Sequence, residues 1–106
     1  MNKLLIFISA FFFITTSSLT SQNDNRKTLE ILFNDWREFE NPPLLNGAPN
    51  YTAKSFDNRM PEFRQLKDRL NEIDKSTLDT QSKVDWTLIW AEMNGFEFNY
   101  RVLKPW

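Results

Sequence analysis

The stretch Thr80–Leu103, TQSKVDWTLIWAEMNGFEFNYRVL, decides how this chain must fold. Val84, Leu88, Ala91, Gly95, Phe98 and Val102 recur at helical spacing and form one stripe. Trp86, Ile89, Trp90, Met93, Phe96 and Tyr100 populate much of the remaining circumference. A helix apolar nearly all round is buried on several sides rather than laid on a surface. Asp79 or Thr80 can cap its first turn, and Pro105 stands just past its end. A glycine in mid-helix costs about 1 kcal/mol relative to alanine. Ala91 and Gly95 together leave a smooth strip where another helix backbone can come close, unless the glycine marks only a local bend.

Two further periodic segments precede it. From Asn25 to Glu40 the residues Leu29, Leu32, Phe33, Trp36 and Phe39 mark one buried helix face. Asp24 or Asn25 can cap that helix, Arg26 and Glu30 suit an exposed pair, and Pro42-Pro43 stops it. Residues 42–58 hold three of the five prolines and no sustained period, so they read as an ordered connection. Met60, Phe63, Leu66, Leu70 and Ile73 then define a second helix to about Asp74, with Pro61 suited to its first turn. A short turn at Lys75–Asp79 leads into the third helix. With three periodic segments and no credible alternating strand, the expected fold class is all-α, about three helices in part of a larger helical domain. Two short helices and a loop can hardly cover the third, so a missing body is expected to bury it.

Residues 1–21 have a different grammar. Lys3 is their only charge, Leu4–Ile14 is a mostly apolar run, and Thr15–Ser21 is small and polar. That pattern predicts a secretory signal peptide, cut after Ser18 or, preferably, Ser21. The run is about half the length needed to span a bilayer, so no stable membrane anchor is expected after cleavage. No cysteine follows it, which excludes a thiol-linked lipid anchor. The predicted product, residues 22–106, is exported to the periplasm or the medium. A domain so small gains only a few kcal/mol from its core, and without disulfides it is expected to need a larger body or a partner.

Composition excludes much chemistry. The 106 residues include no His and no Cys, which removes Cys-nucleophile and Ser-His-Asp systems and nitrogen- or sulfur-ligated zinc. Two glycines cannot build a phosphate cradle. With 13 Lys plus Arg against 14 Asp plus Glu there is no basic stripe for nucleic acid. Carboxylate, hydroxyl, Lys and Tyr chemistry remain. Asp85 and Glu92, seven apart on the third helix, share a face and could act as acid and base in an aromatic setting. The plainer reading has them capping or pairing with cations of another element. Glu97 and Arg101 suit a pair four residues apart. Asn50-Tyr51-Thr52 matches a glycosylation acceptor, to which the bacterial-looking leader gives little weight. Trp36, Trp86, Trp90 and Trp106 could line a ligand groove, although core packing is the more common use of indole.

The runs Val84-Asp85-Trp86, Ala91-Glu92-Met93-Asn94-Gly95-Phe96-Glu97-Phe98 and Arg101-Val102-Leu103-Lys104-Pro105-Trp106 resemble the N-terminal part of an exported bacterial family, domain-of-unknown-function family 885. Gly47-Ala48-Pro49-Asn50-Tyr51-Thr52 resembles the loop before that family's paired helices. Trp90 departs from the pattern, standing where many relatives carry a basic residue. The resemblance implies a longer, largely helical protein with a downstream H-E-x-x-H motif and a zinc-peptidase-like activity. That motif is absent here, so no catalytic, metal-binding or cofactor-binding residue carries over, and zinc belongs only to a full-length relative. Glu92 and Asn94 are expected to be structural anchors, with Asp85, Arg101 and Trp106 as further structural or cleft-lining positions. On this reading residues 22–106 are the N-terminal helical scaffold of an exported hydrolase, not catalytic alone, whose partner is the missing C-terminal region. The alternative is a small complete exported module that binds a partner protein or its own copy.

Overall fold

A computed structural model describes the backbone of residues 16–106 and the side chains of residues 22–106. The apolar run assigned to a leader lies outside the described residues. The architecture is three helices and one very short hairpin: α1 Thr16–Glu40, β1 Leu44–Leu45, β2 Ala48–Pro49, α2 Ala53–Glu72 and α3 Thr80–Phe98. A 3-10 turn at Lys75–Thr77 joins α2 to α3, and Asn99–Leu103 continues α3 as a π-helical turn. The mostly helical fold is the one the periodicity predicts. No helix among the described residues is long and apolar enough to cross a membrane.

α1 and α2 start earlier than their local signals suggest, whereas α3 starts where its cap predicts. α1 does not begin at Asn25; its backbone is already helical from Thr16. Asp24 and Asn25 therefore sit inside it, where the Asp24 carbonyl accepts from the Thr28 hydroxyl and the Asn25 amide donates to Thr77. α2 begins a full two turns before Met60, because Thr52 caps it: the Thr52 hydroxyl accepts from the Ser55 amide at 3.2 Å, and Asn50 in turn accepts from Thr52. Pro61 consequently lies inside α2, not in its first turn. Asp79 caps α3, accepting from the Ser82 amide at 2.7 Å, as expected. That amide holds the Asp79 carboxyl below the ordinary range, because the bond favours its charged form.

The predicted connection contains structure of its own. Leu44 pairs with Pro49 and Leu45 with Ala48 across a tight turn in which Asn46 and Gly47 both have positive φ, 53° and 81°. Asn-Gly is the pair that tolerates this left-handed conformation, and it is the strongest short-range hairpin signal. The loop reading of residues 42–58 is corrected accordingly.

One core joins the helices. Leu29, Leu32, Trp36 and Phe39 of α1 meet Met60, Phe63, Leu66 and Leu70 of α2 and Ile89 and Met93 of α3, with Ile73 and Leu78 closing the α2–α3 end. Trp36 stacks on Phe39 at 5.5 Å, and Phe96 reaches Phe39 edge-on at 5.2 Å and Phe63 at 4.9 Å. Full burial of each such side chain contributes about 1.5–3 kcal/mol. Phe33, expected on the buried face of α1, is instead 39% exposed. It turns toward α3, under the Arg37 guanidinium at 4.8 Å.

Candidate functional site

α3 has two unlike faces. Toward the core it presents Ser82, Ile89 and Met93, all buried, with Trp86, Phe96 and Tyr100 packed beside them. The Trp86 indole donates to the Leu70 carbonyl at 3.0 Å, tying α3 to the end of α2. The Tyr100 hydroxyl donates to Asp57 at 2.7 Å, which raises the phenol above its usual range. On the opposite side Val84, Leu88, Phe98 and Val102 are about half exposed or more, with Ala91 and Gly95 exposed between them. Within this chain α3 is thus buried on one side only, as expected where two short helices can hardly cover it. α1 and α2 lie side by side on one half of α3's circumference and leave the stripe in solvent.

Gly95 sharpens the point. Its φ is not in the left-handed region, and a Cβ built on it would meet nothing within 4 Å. Among the described residues neither backbone conformation nor packing calls for glycine there, although it weakens the helix.

Asp85 and Glu92 do share one side of α3, as their spacing predicts. Both border a groove of about 420 Å³ between α1 and α3, with Leu29, Phe33, Leu88 and Ile89 as its apolar lining. Seven residues separate them by about 10 Å along the axis. Their partners are structural. Asp85 is exposed and accepts from Gln81 at 3.2 Å. Glu92 accepts from the buried Trp36 indole at 2.9 Å with one oxygen and from Arg37 at 3.1 Å with the other. Both Glu92 oxygens are thus occupied by donors of α1, the arrangement of a cross-helix anchor rather than of a proton-transferring pair. Arg37 also binds Glu40 at 2.6 Å, and the Glu40 bond is the main reason its guanidinium is held above its ordinary value.

The remaining predicted positions scatter. Asn94 is half-buried on α3. Arg101 is exposed on the π turn. Trp106 is 43% exposed and folds back onto Phe56 at 5.1 Å and Tyr100 at 6.0 Å. Glu97 pairs with Lys67 of α2 rather than with Arg101, because its side of α3 faces α2. Of the four tryptophans only Trp36 is fully in the core, Trp86 is partly buried, and Trp90 is 46% exposed; together they do not line one groove.

Arg37 and Arg59 carry no signal in the local sequence pattern. Arg59 lies over the Phe39 ring at 4.5 Å and donates to the Phe39 carbonyl near the end of α1. Burial there pulls its guanidinium below the ordinary value. It borders a second, more polar groove of about 460 Å³ between α1 and α2, flanked by the Asp35–Arg69 ion pair at 2.8 Å. An exposed-looking arginine twenty residues from its carbonyl partner leaves no local signature. Among the described residues no three Asp, Glu, His or Cys side chains gather where they could hold a metal ion.

No family model matches this chain, no curated protein matches it in sequence, and no solved structure matches it.

Proposed function

We propose that residues 22–106 are a non-catalytic helical interaction element of an exported protein, built to hold α3 by one face and offer the other to a second helical body. The single observation that carries this is the outer stripe of α3, where Leu88, Phe98 and Val102 are each more than half exposed around a glycine that the chain itself does not need. An apolar strip of this kind marks an interaction site on a soluble fold. Two bodies fit the description. The resemblance to the exported family supports the remainder of a zinc-peptidase-like hydrolase, for which this segment is the N-terminal scaffold. The closed core shared by all three helices supports instead a small module that folds by itself and binds a partner protein or its own copy.

The full chain, produced with residues 1–21 in a bacterial host, tests both parts. Mass spectrometry of the product should find a new N-terminus near Gln22. In dilute solution the product should bind an apolar dye, and Leu88→Glu should abolish most of that binding without changing the helical signal. A product that keeps Met1 overturns export, and a wild-type chain that binds no dye overturns the docking face. Sequencing the gene past the Trp106 codon separates the two bodies: an open frame entering an H-E-x-x-H segment supports the hydrolase, and a stop codon there removes it.

A further inference from the structure

We propose that the occupant of the outer α3 face is a second copy of this chain, its α3 crossing the first in antiparallel direction about a two-fold axis near position 93. The inference rests on the docking-face reading above and takes the self-association branch of it. The exposed stripe steps by four, three, four and three from Val84 to Phe98 along α3, the heptad spacing of a helix–helix seam, and Val102 extends it on the π turn. Its side-chain sizes are palindromic. A two-fold axis at position 93 sets Val84 against Val102 of the second copy, Leu88 against Phe98, and Ala91 against Gly95. Small residues thus meet at the crossing point, where two backbones must approach within about 8–10 Å, and larger ones fill the diverging ends. An isologous contact needs this property, since the same patch must complement itself.

Gly95 then acquires a reason. Any side chain there would point into open space in the single chain but into the second helix in the pair. The flanks are compatible as well. Toward α1 the axis brings Glu92 near its own mate, and each Glu92 arrives with Arg37 beside it at 3.1 Å, a guanidinium it shares with Glu40 at 2.6 Å. On the other flank Asn94 meets Asn94, and each amide both donates and accepts. The strip is about 27 Å long and 10 Å wide. That falls short of the ~800 Å² per partner of a standard interface, so the expected Kd lies in the micromolar range, about 1–100 μM.

Sedimentation of the full chain, processed or not, across that concentration range should show a monomer–dimer equilibrium. Gly95→Leu should weaken it at least about tenfold while the dilute chain melts no lower, since leucine is the better helix former. The chain has no native cysteine, so single cysteines report the register cleanly. Mixed Leu88→Cys and Phe98→Cys chains should form a heterodisulfide. Two Leu88→Cys chains should not cross-link, because ten residues put those positions about 15 Å apart along the axis. A monomer throughout, a dimer indifferent to Gly95→Leu, or a Leu88→Cys homodisulfide each overturns the proposal. A monomer whose dye binding is still lost in Leu88→Glu overturns only the second copy and leaves the docking face standing, whereas no dye binding at all removes both.

Discussion

The hydrogen bond from the Trp36 indole to Glu92 links α1 to α3 across 56 residues of sequence, and its contribution can be isolated with a double-mutant cycle. Trp36→Phe removes the donor while keeping an aromatic ring against Phe39 and Phe96. Glu92→Leu removes the acceptor and leaves a buried N–H, because Trp36 is 1% exposed. A hydrogen bond to a charged group contributes about 1.5–3 kcal/mol. The Glu92 side chain is 38% exposed, so water screens and partly replaces it, and the coupling is expected at or just below the lower end of that range, about 1–1.5 kcal/mol. Each single variant costs more than the coupling, since Trp36→Phe also loses packing and Glu92→Leu also releases Arg37. Urea unfolding followed by circular dichroism gives the four stabilities, and a coupling of 1 kcal/mol corresponds to roughly 4–8 °C in Tm for a domain of this size. Additivity within about 0.3 kcal/mol would refute the anchor role of Glu92.

Three further outcomes are expected. The Asp79 carboxyl is held low mainly by the Ser82 amide, so the stability it confers is present above the ordinary carboxylate value and is lost as pH falls through its depressed folded value; Asp79→Ala should lower Tm at neutral pH and flatten the acid limb of the stability–pH curve. Pro61 lies in the interior of α2 and is exposed, so Pro61→Ala should stabilise the chain by about 1–3 kcal/mol in urea unfolding, whereas a proline in a first turn would yield no gain. The Ser55 hydroxyl is buried without a hydrogen-bond partner, and Ser55→Ala should raise stability by about 1 kcal/mol or leave it unchanged; a clear loss would show that the hydroxyl is satisfied in solution.

Much of the fold was legible because local physics and burial agree. Leu29, Leu32, Trp36 and Phe39, and Met60, Phe63, Leu66, Leu70 and Ile73, are buried at the spacing that announced them. Asp79 announced α3 because a cap acts within three residues. The start of α2 is masked because Pro61 looks like a first-turn proline and Thr52, the true cap, sits among loop-like residues. Asn46-Gly47 carried a readable hairpin signal that the surrounding prolines masked. On α3 the periodicity located both faces but could not say which one the chain covers, since Ile89 and Met93 differ from Leu88 and Val84 only in where α1 and α2 come to lie. The partners of Glu92 and Glu97 were illegible for the same reason: Arg37 and Lys67 are ordinary surface-type residues until the helices pack.

The arrangement of the core also sets a timetable. α2 and α3 find each other over short separations, such as the 16 residues from Leu70 to Trp86, whereas the α1 contacts to Glu92 span 55 and 56. A ribosome adding about 5–20 residues per second takes roughly 3–11 s to pass from Trp36 to Glu92. For that interval Leu29, Leu32, Trp36 and Phe39 have at most their α2 partners, those on α3 being not yet made. The first helix synthesised is the last to be fully housed, and the waiting chain is a natural client for whatever holds nascent apolar segments apart.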